Sequence, residues 1–256
     1  MIRSEAKRGQ KRQRPARDRK RAGKIANRKA PIEKRKLLAP LPVLQHMYDT
    51  LFARWGMQKW WPAEGPFEVM VGAILTQNTA WRNVEKAIAN LKAANMLDPQ
   101  ALHYAQVERV AELIRPSGYF NVKARRLKNF LDFYFCEADG SYARLSAIPT
   151  RDLRLKLLNV NGLGPETVDS ILLYALNRPV FVVDAYTRRI LKRHFIIRGD
   201  ESYDGIRELF EYHLPRGRKL FNEFHALIVR AGHHHCRPTA RCKECPLADF
   251  ERDERL

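Results

Sequence analysis

Residues 158–184 constrain this chain more than any other stretch. The run Leu158-Asn159-Val160-Asn161-Gly162-Leu163-Gly164-Pro165-Glu166-Thr167 reads as a helix end, a tight turn with two glycines and the start of a second helix, and it leads through Val182-Val183 to one carboxylate, Asp184. Gly162 and Gly164 suit a turn that needs positive φ or close backbone approach. A helix opening at Pro165 or Glu166 leaves its first amides unpaired and pointing outward. Such a turn can hold a phosphate through backbone amides alone. The same residues also suit an ordinary helix-to-helix connection, so the meaning of the turn depends on the rest of the chain.

Charge is the next constraint. The chain carries 47 Lys and Arg against 28 Asp and Glu, a net charge of +19. Residues 1–36 hold 16 basic and 3 acidic side chains, or +13, which leaves +6 for residues 37–256. This arm has almost no large apolar side chains and cannot offset chain entropy by burial, so it is expected to be disordered in isolation. A polybasic arm is a ligand for nucleic-acid phosphates or anionic lipid, and also suits a solvated tail. It lacks the apolar core of a secretory signal. No apolar run approaches the length of a membrane span, so a soluble, cytoplasmic protein is expected.

The periodicity is helical almost throughout. Apolar residues recur at three and four through Phe67–Leu75, Val84–Leu91, Val107–Ile114 and Leu127–Phe135. Only Pro179-Val180-Phe181-Val182-Val183 looks extended, and it is too short and isolated to build a sheet. Breaks at Pro62–Pro66, Arg115-Pro116-Ser117-Gly118, Ala138–Gly140, Pro149 and Gly162–Pro165 cut the rest into helix-sized pieces. The fold class expected is all-α.

A Gly-x-Gly turn between two helices, followed about twenty residues later by an Asp after an apolar run, resembles the helix-hairpin-helix DNA glycosylase superfamily, to which endonuclease III belongs. The likeness covers about Trp60 to Leu247. Within it, Trp60-Trp61-Pro62, Phe67-Glu68, Gly72-Ala73-Ile74-Leu75-Thr76-Gln77-Asn78-Thr79, Arg115-Pro116-Ser117-Gly118-Tyr119 and Asn121-x-Lys123-Ala124-x-Arg126-Leu127 are similar to the bacterial type III 3-methyladenine DNA glycosylase branch. The resemblance implies a two-part helical fold with the active site in the cleft between the parts. Residues 66–180 would form a helical barrel ending in the hairpin, and residues 41–65 plus 181–250 the second part.

The chemistry implied by the resemblance can be set against the residues. Cleaving an N-glycosidic bond builds positive charge on the sugar, which a carboxylate can stabilise, or the carboxylate can activate water. Asp184 matches the family's catalytic Asp, and Asp184-Ala185-Tyr186-Thr187-Arg188 also reads as a helix start with Asp184 as its N-cap. Bifunctional members place a Lys in the second hairpin helix, and here that position is Glu166. A carboxylate cannot form an imine, so the implied enzyme is monofunctional and leaves an abasic site. Glu166 equally suits a first helical turn.

A flipped base needs flat surfaces to hold it. Trp60, Trp61 and Trp81 align with or near aromatic pocket positions of the branch, although single tryptophans are commonly core. A purine alkylated on a ring nitrogen is cationic and would gain stacking and cation–π attraction there, ~1–3 kcal/mol. Gln77 matches the residue that fills the hole left by the base, and a polar helix end explains it as well. Gly162, Leu163, Gly164 and Thr167 are the expected phosphate contacts. The partner expected is duplex DNA containing a damaged base, bound by a monomer with no membrane involved. An endonuclease III-like action on oxidised pyrimidines and a non-catalytic DNA-binding protein are the alternatives.

The C-terminal cysteines depart from the family pattern. Endonuclease III relatives hold a [4Fe-4S] cluster with C-x6-C-x2-C-x5-C, whereas this chain has Cys236-x5-Cys242-x2-Cys245 and Glu251 in the fourth place. Three close cysteines in a protein of this kind point to metal rather than disulfides. His233, His234 and His235 offer a fourth ligand for a cluster or for zinc. A loop without metal is the third reading, and the chemistry itself needs no cofactor. Cys136, within an aromatic helix, is expected in the core.

Overall fold

The computed structural model describes residues 40–253. The basic arm of residues 1–36 lies outside the described residues. No strand occurs among the described residues, and twelve α-helices account for the order. They are α1 (Pro40–Trp55), α2 (Pro66–Leu75), α3 (Trp81–Ala93), α4 (Pro99–Tyr104), α5 (Val107–Leu113), α6 (Phe120–Ala138), α7 (Tyr142–Ala147), α8 (Thr150–Leu158), α9 (Pro165–Ser170), α10 (Ala185–Arg193), α11 (Tyr203–His213) and α12 (Arg218–His234). No described helix is long and apolar enough to cross a membrane.

Helix starts follow local chemistry. Pro66, Pro99 and Pro165 occupy first turns, where the missing N–H costs nothing. Asp98, Ser141, Asp184 and Ser202 cap their helices with side-chain oxygens. Helix α2 is buried from Val69 to Leu75, as expected of a helix that is apolar all round and surrounded by protein. It packs on α3, α6 and α9. Helix α6 buries Lys123, Ala124, Leu127, Phe130, Leu131, Tyr134 and Ala138 on one stripe. Cys136 falls off that stripe and is exposed, contrary to the expectation of a core position.

The hairpin is formed by α8, residues 159–164 and α9. Beyond Ser170 the helix widens into a π-helical turn, Ile171–Ala175, that touches both α2 and α12. The extended run after it forms no ladder, because α11 satisfies its amides instead. Phe181 N–H donates to Glu211 Oε1 at 3.0 Å and Val183 N–H to the Tyr203 hydroxyl at 3.3 Å. Phe181 stacks on Phe210 with centroids 3.7 Å apart. Helix α12 packs against α1 and α10, and α1 also against α11.

One buried ion pair fastens the hairpin to this layer. Arg154 of α8 donates Nε and Nη2 to Asp169 of α9 at 2.7 and 3.0 Å, and Nη2 also to Asp204 of α11 at 2.7 Å. The Asp169 side chain is wholly buried. Removing one partner strands the other charge, so Asp169→Ala should lower unfolding free energy by about 3–5 kcal/mol in a denaturant titration. A loss below about 1 kcal/mol, the scale of an exposed pair, would contradict that role.

Candidate active site

Asp184 stands at the end of the buried run Val180–Val183 and at the N-cap of α10. Its Oδ1 accepts the Thr187 amide at 2.7 Å and the Thr187 hydroxyl at 2.8 Å. Two donors from one residue fix the carboxylate's rotamer while its side chain keeps 12% exposure. The second oxygen, Oδ2, lies 3.9 Å from Nε2 of His225 on α12.

Glu166 sits in the first turn of α9. Packing around its carboxyl, and then the charge of Asp184, push its pKa up to about 7, with Arg188 opposing the shift. Its outer face stays exposed. Two carboxylates sharing a neighbourhood resist ionising together. Glu166 is thus poised to carry a proton near neutral pH.

Trp60, Trp61 and Trp81 come together. The centroids are 6.0 Å apart for Trp60 and Trp61, 6.1 Å for Trp60 and Trp81, and 4.9 Å for Trp61 and Trp81. Trp61 lies against Gly72 of α2, where an added Cβ would meet its ring at 3.3 Å. Its other neighbour is Tyr174 on the π-turn, at 5.2 Å between centroids. The aromatic cluster therefore reaches, through Tyr174 and His225, to Asp184.

Gln77 is placed at the hairpin rather than free. Its amide donates to the Gly162 carbonyl at 3.1 Å and to Thr167 Oγ1 at 2.9 Å, while Arg126 donates to its Oε1. Gly162 has φ +93, and a Cβ there would run into the Arg126 side chain, so both its conformation and its neighbour demand glycine. Gly164 has an ordinary φ of −88 as the N-cap of α9, with open space beside it. Leu163 and Thr167 are buried.

Sequence reasoning did not single out Tyr174 and His225. The only signal was one polar ring in each of two apolar runs, Ile171–Ala175 and Phe224–Ile228. Lys123 was seen only as part of a motif. It is buried, donates to the carbonyls of Leu75 and Ser117 at 2.8 and 2.7 Å, and so closes the C-terminal end of α2 beside Gln77. Burial, with Arg126 adding to it, pulls its pKa down to about 8.

Cys236, Cys242 and Cys245 line one cavity together with His235, Arg193 and Arg241. Among the described residues, however, no three His, Cys, Asp or Glu side chains form a group able to hold a metal ion. Arg193 donates to Cys236 Sγ at 3.1 Å and to the carbonyls of Arg237 and Pro238. His233, His234 and Glu251 are exposed. The donor set as it stands does not fit a four-ligand cluster, or zinc, and a buried guanidinium braces the loop instead.

The model for the HhH-GPD superfamily of base excision DNA repair proteins matches residues 71–216. A candidate DNA repair glycosylase of Methanocaldococcus jannaschii is 46% identical over 210 residues, 81% of this chain and 95% of its own length. An endonuclease III of Sulfolobus acidocaldarius is 25% identical over 186 residues, 72% of this chain and 80% of that one. The crystal structure of H. pylori 3-methyladenine DNA glycosylase bound to 1,N6-ethenoadenine aligns with TM-score 0.65 and 28% identity over 77% of this chain and 98% of that one. A non-covalent endonuclease III–DNA complex aligns with TM-score 0.72 and 20% identity, over 85% and 97%, a likeness of fold. The chain belongs to the HhH-GPD superfamily. Within that family it is a base excision repair DNA glycosylase, an enzyme that hydrolyses N-glycosyl bonds.

The raised Glu166 pKa gives a pH test. The folded state holds this proton up to about pH 7, whereas an ordinary glutamate carboxyl loses it near 4.5, so ionisation costs stability as pH rises through that window. Glu166→Gln should raise Tm relative to wild type at about pH 8 and match it below the window. A Tm difference that does not change with pH would contradict the environment assigned to Glu166.

Proposed function

We propose that this glycosylase removes alkylated purines, chiefly 3-methyladenine, by hydrolysis, leaving an abasic site without cutting the strand. The observation that carries the reading is the pairing of one doubly hydrogen-bonded carboxylate, Asp184, with a carboxyl in place of an amine at Glu166. A purine alkylated on the ring is a good leaving group, so a charge beside the developing oxocarbenium ion suffices. Glu166, protonated near neutrality, can donate to the extruded base, and no lyase step is available to it.

The tryptophan cluster supports a cationic aromatic substrate over an oxidised, non-aromatic pyrimidine. Trp60 and Trp81 lie tilted with centroids 6.1 Å apart, and must part for a base to lie between them. The likeness to the H. pylori 3-methyladenine enzyme supports the same choice. Residues 66–180 and residues 41–65 plus 181–250 act as the two walls of the DNA cleft in this reading. Backbone amides around Gly162, Leu163 and Gly164 hold phosphate, with Thr167 beneath them. Gln77 exchanges its hairpin partners for the vacated base-pair position. The enzyme acts as a monomer in the cytoplasm, on the nucleoid.

Asp184→Asn separates capping from chemistry, because Asn caps helices as well as Asp. The variant should fold and bind alkylated duplex as wild type does while base release falls by about 100-fold or more. Retained turnover would remove Asp184 from the reaction. Release of oxidised pyrimidines in preference to 3-methyladenine by the wild type would move the substrate to the endonuclease III class.

A further inference from the structure

The Asp184 carboxylate is tied on one side only. Thr187 holds Oδ1 through two hydrogen bonds, while Oδ2 faces Nε2 of His225 at 3.9 Å, about 1 Å beyond hydrogen-bond reach. Nε2 is buried and has no hydrogen-bond partner. The other ring nitrogen, Nδ1, is paired with the Tyr174 hydroxyl. His225 is buried on α12 and Tyr174 on the π-turn, so both rings are held by the core.

The proton positions follow from these contacts. Burial, and the charge of Asp184 after it, keep the Tyr174 phenol protonated far above neutral pH. Burial also lowers the His225 pKa, so the imidazole is neutral despite the nearby carboxylate. The phenol can donate to Nδ1 or accept from it, but an unprotonated Nε2 would set its lone pair against the Asp184 carboxylate. The facing carboxylate therefore favours the imidazole proton on Nε2 and the phenol as donor to Nδ1. The result is a buried donor without an acceptor, aimed at a carboxylate oxygen without a donor.

We propose that Tyr174 and His225 are positioning residues for Asp184: Tyr174 fixes the His225 tautomer, and the His225 Nε2–H closes onto Oδ2 when a nucleotide fills the site. A neutral donor suits this task. It locks the carboxylate's orientation without supplying a positive charge that would compete with the oxocarbenium ion. The arrangement also places Tyr174 between Trp61 and His225, so a base that moves the tryptophans presses on the group that sets Asp184.

The proposal rests on the glycosylase reading, and two measurements keep their failures apart. In single-turnover excision from alkylated duplex, His225→Phe should be slower by roughly 10- to 100-fold with DNA affinity unchanged. His225→Gln carries an amide donor near the former Nε2 and should recover most of that loss. Equal damage in both variants, or wild-type excision by His225→Phe, would overturn the proposal. Independently of any substrate, 15N–1H spectra of histidine-labelled protein should show His225 as the Nε2–H tautomer, with a resonance that shifts in Asp184→Asn. An Nδ1–H tautomer, or a resonance indifferent to Asp184→Asn, would overturn it even if no base is ever released, an outcome that would refute the substrate reading separately.

Discussion

The buried Arg154–Asp169 pair is the interaction on which the rest of the site depends. Asp169 accepts a two-pronged hydrogen bond from α8, and the Tyr203 hydroxyl, which receives the Val183 amide, lies near enough to help lower its pKa. One buried polar hub therefore fixes both the hairpin helix that carries Glu166 and the coil that delivers Asp184. Burial pushes the Asp169 carboxyl up and Arg154 pulls it back, so the aspartate is tolerable only with its partner in place. Without a sheet to hold residues 180–183, these side-chain bonds are what make an extended segment rigid enough to aim a carboxylate.

In the proposed mechanism Asp184 serves fold and chemistry together. Its Oδ1 ends the chain's extended run and starts α10, which is a stability task. Its Oδ2 is left facing the site, which is a reactivity task. Glu166 is the counterpart: burial, and after it the charge of Asp184, raise its pKa to about 7.

Much of the fold was legible in the sequence because its signals are local. The Gly162 turn, the Pro165 start and the Asp184 cap each follow from a residue whose backbone preference admits few alternatives, and the apolar recurrence through Phe67–Leu75 placed α2. Proximity of Trp60, Trp61 and Trp81 was expected from their match to the family. What was not legible depends on long-range packing. His225 and Tyr174 are 51 residues apart, and nothing local marks either as a partner of Asp184. Gln77 reads locally as a polar helix end, yet Arg126 and Gly162 engage its amide across the fold. Cys136 was misplaced because a run of aromatics around it hid the helical register of the buried face. The three C-terminal cysteines share a cavity as their spacing suggests, but spacing did not reveal the arginine that reaches Cys236.

The most direct test of the account is borohydride reduction of the protein during turnover on alkylated duplex DNA. A site that works through Asp184 with Glu166 in place of an amine should release the base, form no reduction-stable protein–DNA adduct, and leave a strand that breaks only after alkali. A covalent adduct would require an amine nucleophile and would contradict the central claim.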